Sequence, residues 1–347
     1  MPRQLIFKTI SILLGTVLAL LLVEVGYRVV HYINYVDFKK AVPGQQPPVV
    51  RPQEELGLGE FIQLSQHQRI IYELVPSSRF RFKGKPVEVS AKGFRDREYP
   101  IAKQKQARRI IGLGDSVMFG WGVDEADCYL TQLESSLNTG QDSVLYEVIN
   151  TGVPGYNTAM EVAVLEHKFN LDEVDMVVIN YIGNDCDLPN FIHKKPKYWT
   201  LKKSFILMRF FQNDELNAPL ETAPMNHLGS GYVNKQDLVP AEYSDMVDVP
   251  GYLKAMHRLK ELQTEHGFEV IVLATNPNAP TMDYVQLACD SFGLDLLDVY
   301  PIWKDYKAAN PDAVWEQSKE DSHPSPLAHR LIAEALRERV LKKMAKQ

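Results

Sequence analysis

Cysteine is scarce in this chain, with three residues among 347, at Cys128, Cys186 and Cys289. Their spacing matches no metal-binding pattern and they form no even set. That excludes a zinc ribbon or a disulfide-stapled scaffold and leaves buried thiols as the expectation. Positive charge is also in short supply: 38 Lys and Arg stand against 44 Asp and Glu, a net charge of −6. A chain with that balance is not built for non-specific nucleic-acid binding. Internal repeats and low-complexity tracts are missing. The remaining composition, 45% hydrophobic and 24% charged, is that of an ordinary globular protein, long enough for one large α/β core or two modest domains.

The one long apolar run lies at the N-terminus. Residues 9 to 23 carry no charge, and the apolar character resumes from 25 to 30 around Glu24 and Arg28. The uncharged core alone is short of the roughly 20 residues a spanning helix needs. Counted through Val30 the run is long enough, because Glu24 and Arg28 share a helical face, where they can pair or reach toward headgroups. Arg3 and Lys8 precede the run, as for a cytoplasmic N-terminus, although Lys39 and Lys40 beyond it weaken the asymmetry. A cleaved signal peptide and a buried core helix are the competing readings. No small-residue cleavage site follows the run, which favours an uncleaved anchor. With either an anchor or a signal peptide, the bulk of the protein lies outside the cytoplasm.

Residues 34 to 104 show no sustained periodicity. Pro43, Pro47, Pro48 and Pro52 mark an extended stalk, and Phe80, Phe82 and Phe94 sit in short alternating stretches that suggest an arm packed on the main domain. From Arg108 onward, apolar strands alternate with amphipathic helices. The strands are expected over 109–113, 145–150, 175–181, 269–275 and 294–299, and the helices over 129–137, 158–169, 252–266, 282–292 and 326–343. Continuous β-branched runs such as Met176-Val177-Val178-Ile179 suit a parallel sheet covered on both faces. The interval 189–249 breaks this rhythm with Lys194, Lys195, Lys197, Lys202 and Lys203 beside Tyr198 and Trp199. It is too long for a plain connection, so an inserted lid is expected; a surface excursion with a solvated lysine face is the competing reading.

Chemistry-bearing residues cluster where strands end. Gly114-Asp115-Ser116 follows the first strand and presents a hydroxyl at the edge where open α/β sheets bind ligands. Acyl transfer by serine needs that nucleophile, a base, a group orienting the base, and donors for the oxyanion. Gly155, after the second strand, can bring its backbone N–H close to a substrate, though alone it reads as a turn glycine. Asn184, after the third strand, offers an uncharged donor, though Gly-Asn-Asp alone is an ordinary turn. His323 precedes Ser325 and Pro326, a helix N-cap and first-turn pair that pins its loop to the core; an isolated His-Pro there is usually structural.

These four segments in this order resemble the SGNH/GDSL hydrolase family, over about residues 108 to 343. The wording Gly114-Asp115-Ser116-Val117-Met118-Phe119-Gly120-Trp121-Gly122 is closest to its membrane-anchored bacterial members, and Lys92-Gly93-Phe94-Arg95-Asp96 is similar to the lead-in those members carry. The resemblance implies a three-layer α/β/α fold with a five-stranded, flavodoxin-like parallel sheet. It implies Ser116 as nucleophile and His323 as base, and an oxyanion hole of the Ser116 and Gly155 N–H groups with the Asn184 side chain. It implies neither metal nor organic cofactor. The family's last block places an acid three residues before the histidine, where this chain has Glu320, whereas Asp321 stands two before. Asp321 is favoured as the orienting acid, with Glu320 as rival. Ile182 stands where the third block of the family has glycine, which leaves the amide of Asn184 untouched.

The expectations are therefore an anchor or signal over 1–33, a stalk and arm over 34–104, and a hydrolase-like domain over 105–347. The reading is a single-pass membrane protein with an extracytoplasmic serine esterase acting on acylated glycans or lipids of the envelope. An O-acyltransferase using a glycan hydroxyl as acceptor, and a binding module without turnover, are the alternatives.

Overall fold

The computed structural model describes residues 2–40, 47–140, 144–193, 204, 220–223, 239–278 and 284–345. The chain divides into two units, Met1–Gln45 with His193–Glu221 and Gln46–Ile192 with Thr222–Gln347. Most of the interval expected to form a lid lies outside the described residues.

In the first unit, helix α1 runs over Pro2–Lys40. Its apolar stretch, Arg3–Val30, spans 28 residues, about 42 Å at the α-helical rise, against a hydrocarbon core of about 30 Å. It is long and apolar enough to cross a membrane, and Leu5, Leu14, Leu18 and Leu22 are exposed. Glu24 and Arg28 form an ion pair at 2.7 Å, and the Ser204 hydroxyl donates to the other Glu24 oxygen at 2.9 Å. The helix continues through residues 34–40, which the lack of periodicity assigned to the stalk. No proline interrupts it before Pro43, so the backbone has no reason to stop earlier.

The second unit begins with short strands: β1 (Val50–Glu55), β2 (Ile62–Leu64), β3 (Tyr72–Leu74), β4 (Arg79–Phe82) and β5 (Lys85–Glu88). Strands β4 and β5 form a hairpin and β1 pairs with β4 in parallel, while β2 and β3 pair antiparallel. This layer is fastened to the strand–helix region by aromatic contacts. Phe82 meets Trp121 edge-on at 4.7 Å, and Phe94 stacks on Phe169 at 5.6 Å.

The main sheet comprises β6 (Ala107–Leu113), β7 (Leu145–Asn150) and β8 (Met176–Tyr181); then, past the short β9 (Phe191–His193) and β10 (Leu220–Thr222), β11 (Glu269–Ala274) and β12 (Asp295–Asp298). All five strands run parallel in the order β12-β11-β8-β6-β7. This is the flavodoxin-like order expected. The helices are α2 (Ser116–Phe119), α3 (Tyr129–Asn138), α4 (Thr158–Lys168), α5 (Asp248–His266), α6 (Tyr284–Phe292), α7 (Tyr300–Ala309) and α8 (Pro326–Met344). On one face Ile110, Val148, Val178, Ile271 and Leu273 pack with Leu133 of α3, Trp303 of α7, and Ile332 and Leu336 of α8. The alternate residues Ile111, Val177 and Val272 are equally buried, and α4, α5 and α6 pack against one another in turn. A sheet covered on both faces is what the continuous apolar strands require.

The chain passes from β6 to β7 on one side, then crosses back to β8 on the other. The switch point therefore lies at the carboxyl ends of β6 and β8, where such folds open a crevice. Ser116 follows β6 and Asn184 follows β8, so both candidates flank that point.

Candidate functional site

The nucleophile candidate is set by a strand that turns directly into a helix. Asp115 caps α2, its Oδ1 accepting the Val117 N–H at 3.0 Å, and Ser116 is the first helical residue. Gly114 makes the tight turn possible, since a Cβ there would lie 2.7 Å from the Met118 Cβ. Ser116 is 7% exposed, and its hydroxyl lies 2.9 Å from His323 Nε2.

His323 arrives from the far end of the chain on a closed loop. Its carbonyl accepts the Gln317 N–H at 2.9 Å, Glu316 bridges Pro324, and Ser325 caps α8 by accepting the Ala328 N–H at 3.4 Å. Within that loop His323 Nδ1 lies 2.6 Å from Asp321 Oδ1, which also accepts the His323 backbone N–H at 3.1 Å. Burial opposes ionisation of Asp321, but the hydrogen bonds from the His323 ring and backbone, the charge of that ring and the Trp121 indole together hold its carboxyl below the ordinary value. Glu320 is exposed, and its backbone N–H donates to the Ser318 hydroxyl at 3.2 Å. The structure thus joins Ser116, His323 and Asp321 in one hydrogen-bonded chain and turns Glu320 outward.

The donor candidates reach the same rim from two other strands. After β7, Thr151 N–H donates to the Gly112 carbonyl and Val153 N–H to that of Gly114, stitching the loop to the nucleophile turn. Gly155 lies in that loop at φ +79, where a Cβ would meet the Asn190 side chain at 2.2 Å, so only glycine fits. After β8, Asn184 Nδ2 donates to Asp115 Oδ2 at 3.0 Å, and Ser116 Oγ lies 3.1 Å from the same oxygen. Asp115, 2% exposed, therefore couples the nucleophile to the amide. Turning the amide over would set its oxygen against that carboxylate, so the Nδ2 orientation is fixed by chemistry. Among the described residues, no group of three or more His, Cys, Asp or Glu is arranged to hold a metal ion.

Three residues at the site were not singled out from the sequence. Asp115 is both N-cap and link to Asn184. Trp121 stacks on the His323 ring, centroids 4.5 Å apart and planes within 8°, and donates from Nε1 to Asp321 Oδ2 at 3.0 Å. Arg95, 2% exposed, donates to the carbonyls of Phe119, Gly120 and Val123, closing the end of α2. Trp121 and Arg95 stood inside the phrases that carried the resemblance, yet nothing in spacing alone says which way either side chain turns.

No protein-family profile and no curated protein sequence matches the chain. Among solved structures it is similar to an acetyl xylan esterase, AlAXEase, at 15% identity over 67% of this chain and 99% of that one, with a TM-score of 0.42. It is similar to a lipase/acylhydrolase from Enterococcus faecalis at 15% identity over 68% and 96%, with a TM-score of 0.40. A two-domain esterase active on acetylated mannans is matched at 14% identity over 70% of this chain and 50% of that one, with a TM-score of 0.41.

Proposed function

We propose that the chain is a serine esterase of SGNH/GDSL type that cleaves carboxylic esters through an acyl-enzyme. The observation that carries this reading is the hydrogen-bonded series from Ser116 Oγ to His323 Nε2 at 2.9 Å and from His323 Nδ1 to Asp321 Oδ1 at 2.6 Å. As Ser116 Oγ bonds to the ester carbonyl carbon, its proton passes to His323 Nε2, and Asp321 stabilises the imidazolium that forms. The Ser116 and Gly155 N–H groups and the Asn184 amide receive the oxyanion, each such donor being worth roughly 100- to 1000-fold in rate. Collapse expels the alcohol, which takes the proton from His323. Water then attacks the acyl group with His323 again as base, releasing the acid and restoring Ser116.

The substrate class we assign is O-acyl groups of envelope glycans or lipids, with α1 as a single-pass anchor and the second unit outside the cytoplasm. Arg3 and Lys8, on the N-terminal side of the uncharged run 9–23, support that orientation. Two measurements test the reading on the full-length protein in detergent. A fluorophosphonate probe should label the wild type and fail on Ser116→Ala, and p-nitrophenyl acetate should be hydrolysed by the first only. Wild type that resists the probe would end the esterase assignment. Protease added to sealed inside-out membrane vesicles should leave the second unit intact; its digestion there would reverse the orientation.

A further inference from the structure

Trp121 touches all three members of the Ser116–His323–Asp321 series. Its backbone N–H donates to the Ser116 carbonyl at 3.1 Å, its indole N–H to Asp321 Oδ2 at 3.0 Å, and its ring lies parallel to the His323 imidazole at 4.5 Å. Each contact removes a different freedom. Asp321 Oδ1 already takes the imidazole and the His323 N–H, so a donor on Oδ2 fixes the carboxylate plane. The Nδ1 contact fixes one atom of the imidazole but leaves the ring free to swing about it. The flat indole face fixes the ring plane and so aims Nε2 at Ser116.

Burial alone does not immobilise this pair. The His323 and Asp321 side chains are 24% and 28% exposed, on a loop whose neighbours Ser318, Lys319 and Glu320 face solvent. Trp121 is itself braced from behind. Phe82 meets its ring edge-on at 4.7 Å, the Lys83 ammonium lies 4.8 Å from its centroid, and the Gln317 amide donates to its carbonyl. Phe82 and Lys83 come from the β4–β5 hairpin, far from the catalytic residues in sequence, and Gln317 from the His323 loop itself.

We propose that Trp121 is the positioning residue of this site, a wall that sets the plane of the base and the orientation of its acid. The inference rests on the reading of Ser116 and His323 as nucleophile and base. Two substitutions separate its two contacts. Trp121→Phe keeps a stacking face and loses the N–H, and should lower kcat on p-nitrophenyl acetate about tenfold with KM held within about twofold. Trp121→Leu loses both and should lower kcat about 100-fold, again without raising KM. The second readout needs no turnover: the proton on His323 Nδ1, bridging to Asp321, should give a far-downfield NMR resonance in the full-length protein. It should be sharp in wild type, displaced in Trp121→Phe and broadened away by water exchange in Trp121→Leu.

A kcat within twofold of wild type in both variants, or a loss falling on KM, would overturn the proposal. So would a resonance absent from wild type or identical in all three proteins. Should Trp121→Leu fail to fold, Trp121→Phe alone decides. If wild type neither turns over ester nor takes the fluorophosphonate, the esterase reading fails while the resonance still decides Trp121.

Discussion

Replacing Asp321 with asparagine should lower kcat/KM by about 100- to 10,000-fold, while Glu320→Gln should change it less than about twofold. The first part of the loss is electrostatic. In the proposed mechanism His323 becomes a cation as Ser116 attacks, with the carboxylate 2.6 Å from its Nδ1. With charge centres about 4 Å apart and an effective dielectric near 20, the attraction is about 4 kcal/mol. Each side chain is about a quarter exposed, 24% and 28%, which trims this to about 2–3 kcal/mol, or about 30- to 150-fold. The second part is steric and tautomeric. Asparagine offers one oxygen where the carboxylate offered two, and donors approach from both sides: the His323 ring and backbone at Oδ1, the Trp121 indole at Oδ2. If the amide N–H faces His323 Nδ1, the proton moves to Nε2 and the imidazole can no longer accept from Ser116. If it faces the indole, two donors collide and the loop is pushed away. Glu320 enters none of this, since its side chain points to solvent. Initial rates with p-nitrophenyl acetate, and the fluorophosphonate labelling rate of each folded variant, measure the difference. A larger loss in Glu320→Gln than in Asp321→Asn would refute the reasoning.

Asn184→Ala should cost roughly 100- to 1000-fold in kcat if the amide receives the oxyanion, and a loss under tenfold would remove it from that role. Arg95→Met strips donors from three buried carbonyls, of Phe119, Gly120 and Val123, and should cost about 3 kcal/mol or more of stability in urea unfolding; a change under 1 kcal/mol would contradict its structural part. His329 is fully buried and accepts the Tyr129 N–H at 3.2 Å, and burial, with Arg95 and His323 adding, pushes its imidazole down from 6.5 to about 3. The unfolded chain therefore binds a proton that the fold refuses between those values. Its contribution is intact above pH 6.5 and is lost as pH falls toward 3, the loss amounting to about 2 kcal/mol at pH 5. His329→Gln should flatten that slope in denaturant titrations at pH 7 and pH 5; an unchanged slope would show that other groups carry it.

Much of the fold was legible because its signals are local. Four consecutive residues such as Met176 to Ile179, apolar and largely β-branched, leave few options but a strand buried on both faces, and Ser325-Pro326 marks a helix start wherever it is placed. Two helices escaped. The α2 helix is a single turn whose four residues are all buried and so carry no periodicity, and of α7 (Tyr300–Ala309) only Trp303 is buried. The arm strands escaped as well, being only three to six residues long, too short to show a sustained alternation.

The sequence by itself determined which residue types stand in these loops and in what order: a serine, a glycine and an asparagine after strands, and a histidine preceded by two acids before the last helix. It also determined the apolar helix, since hydropathy and length are properties of a segment alone. Only the tertiary structure sets Asp321, and not Glu320, against the imidazole, because which carboxylate turns toward it depends on how the loop closes on Gln317 and Pro324. It alone recruited Trp121 and Arg95, whose contacts depend on a hairpin and a guanidinium arriving from elsewhere in the chain. Composition fixes what a residue can do; the direction of its side chain is set by packing from every side at once.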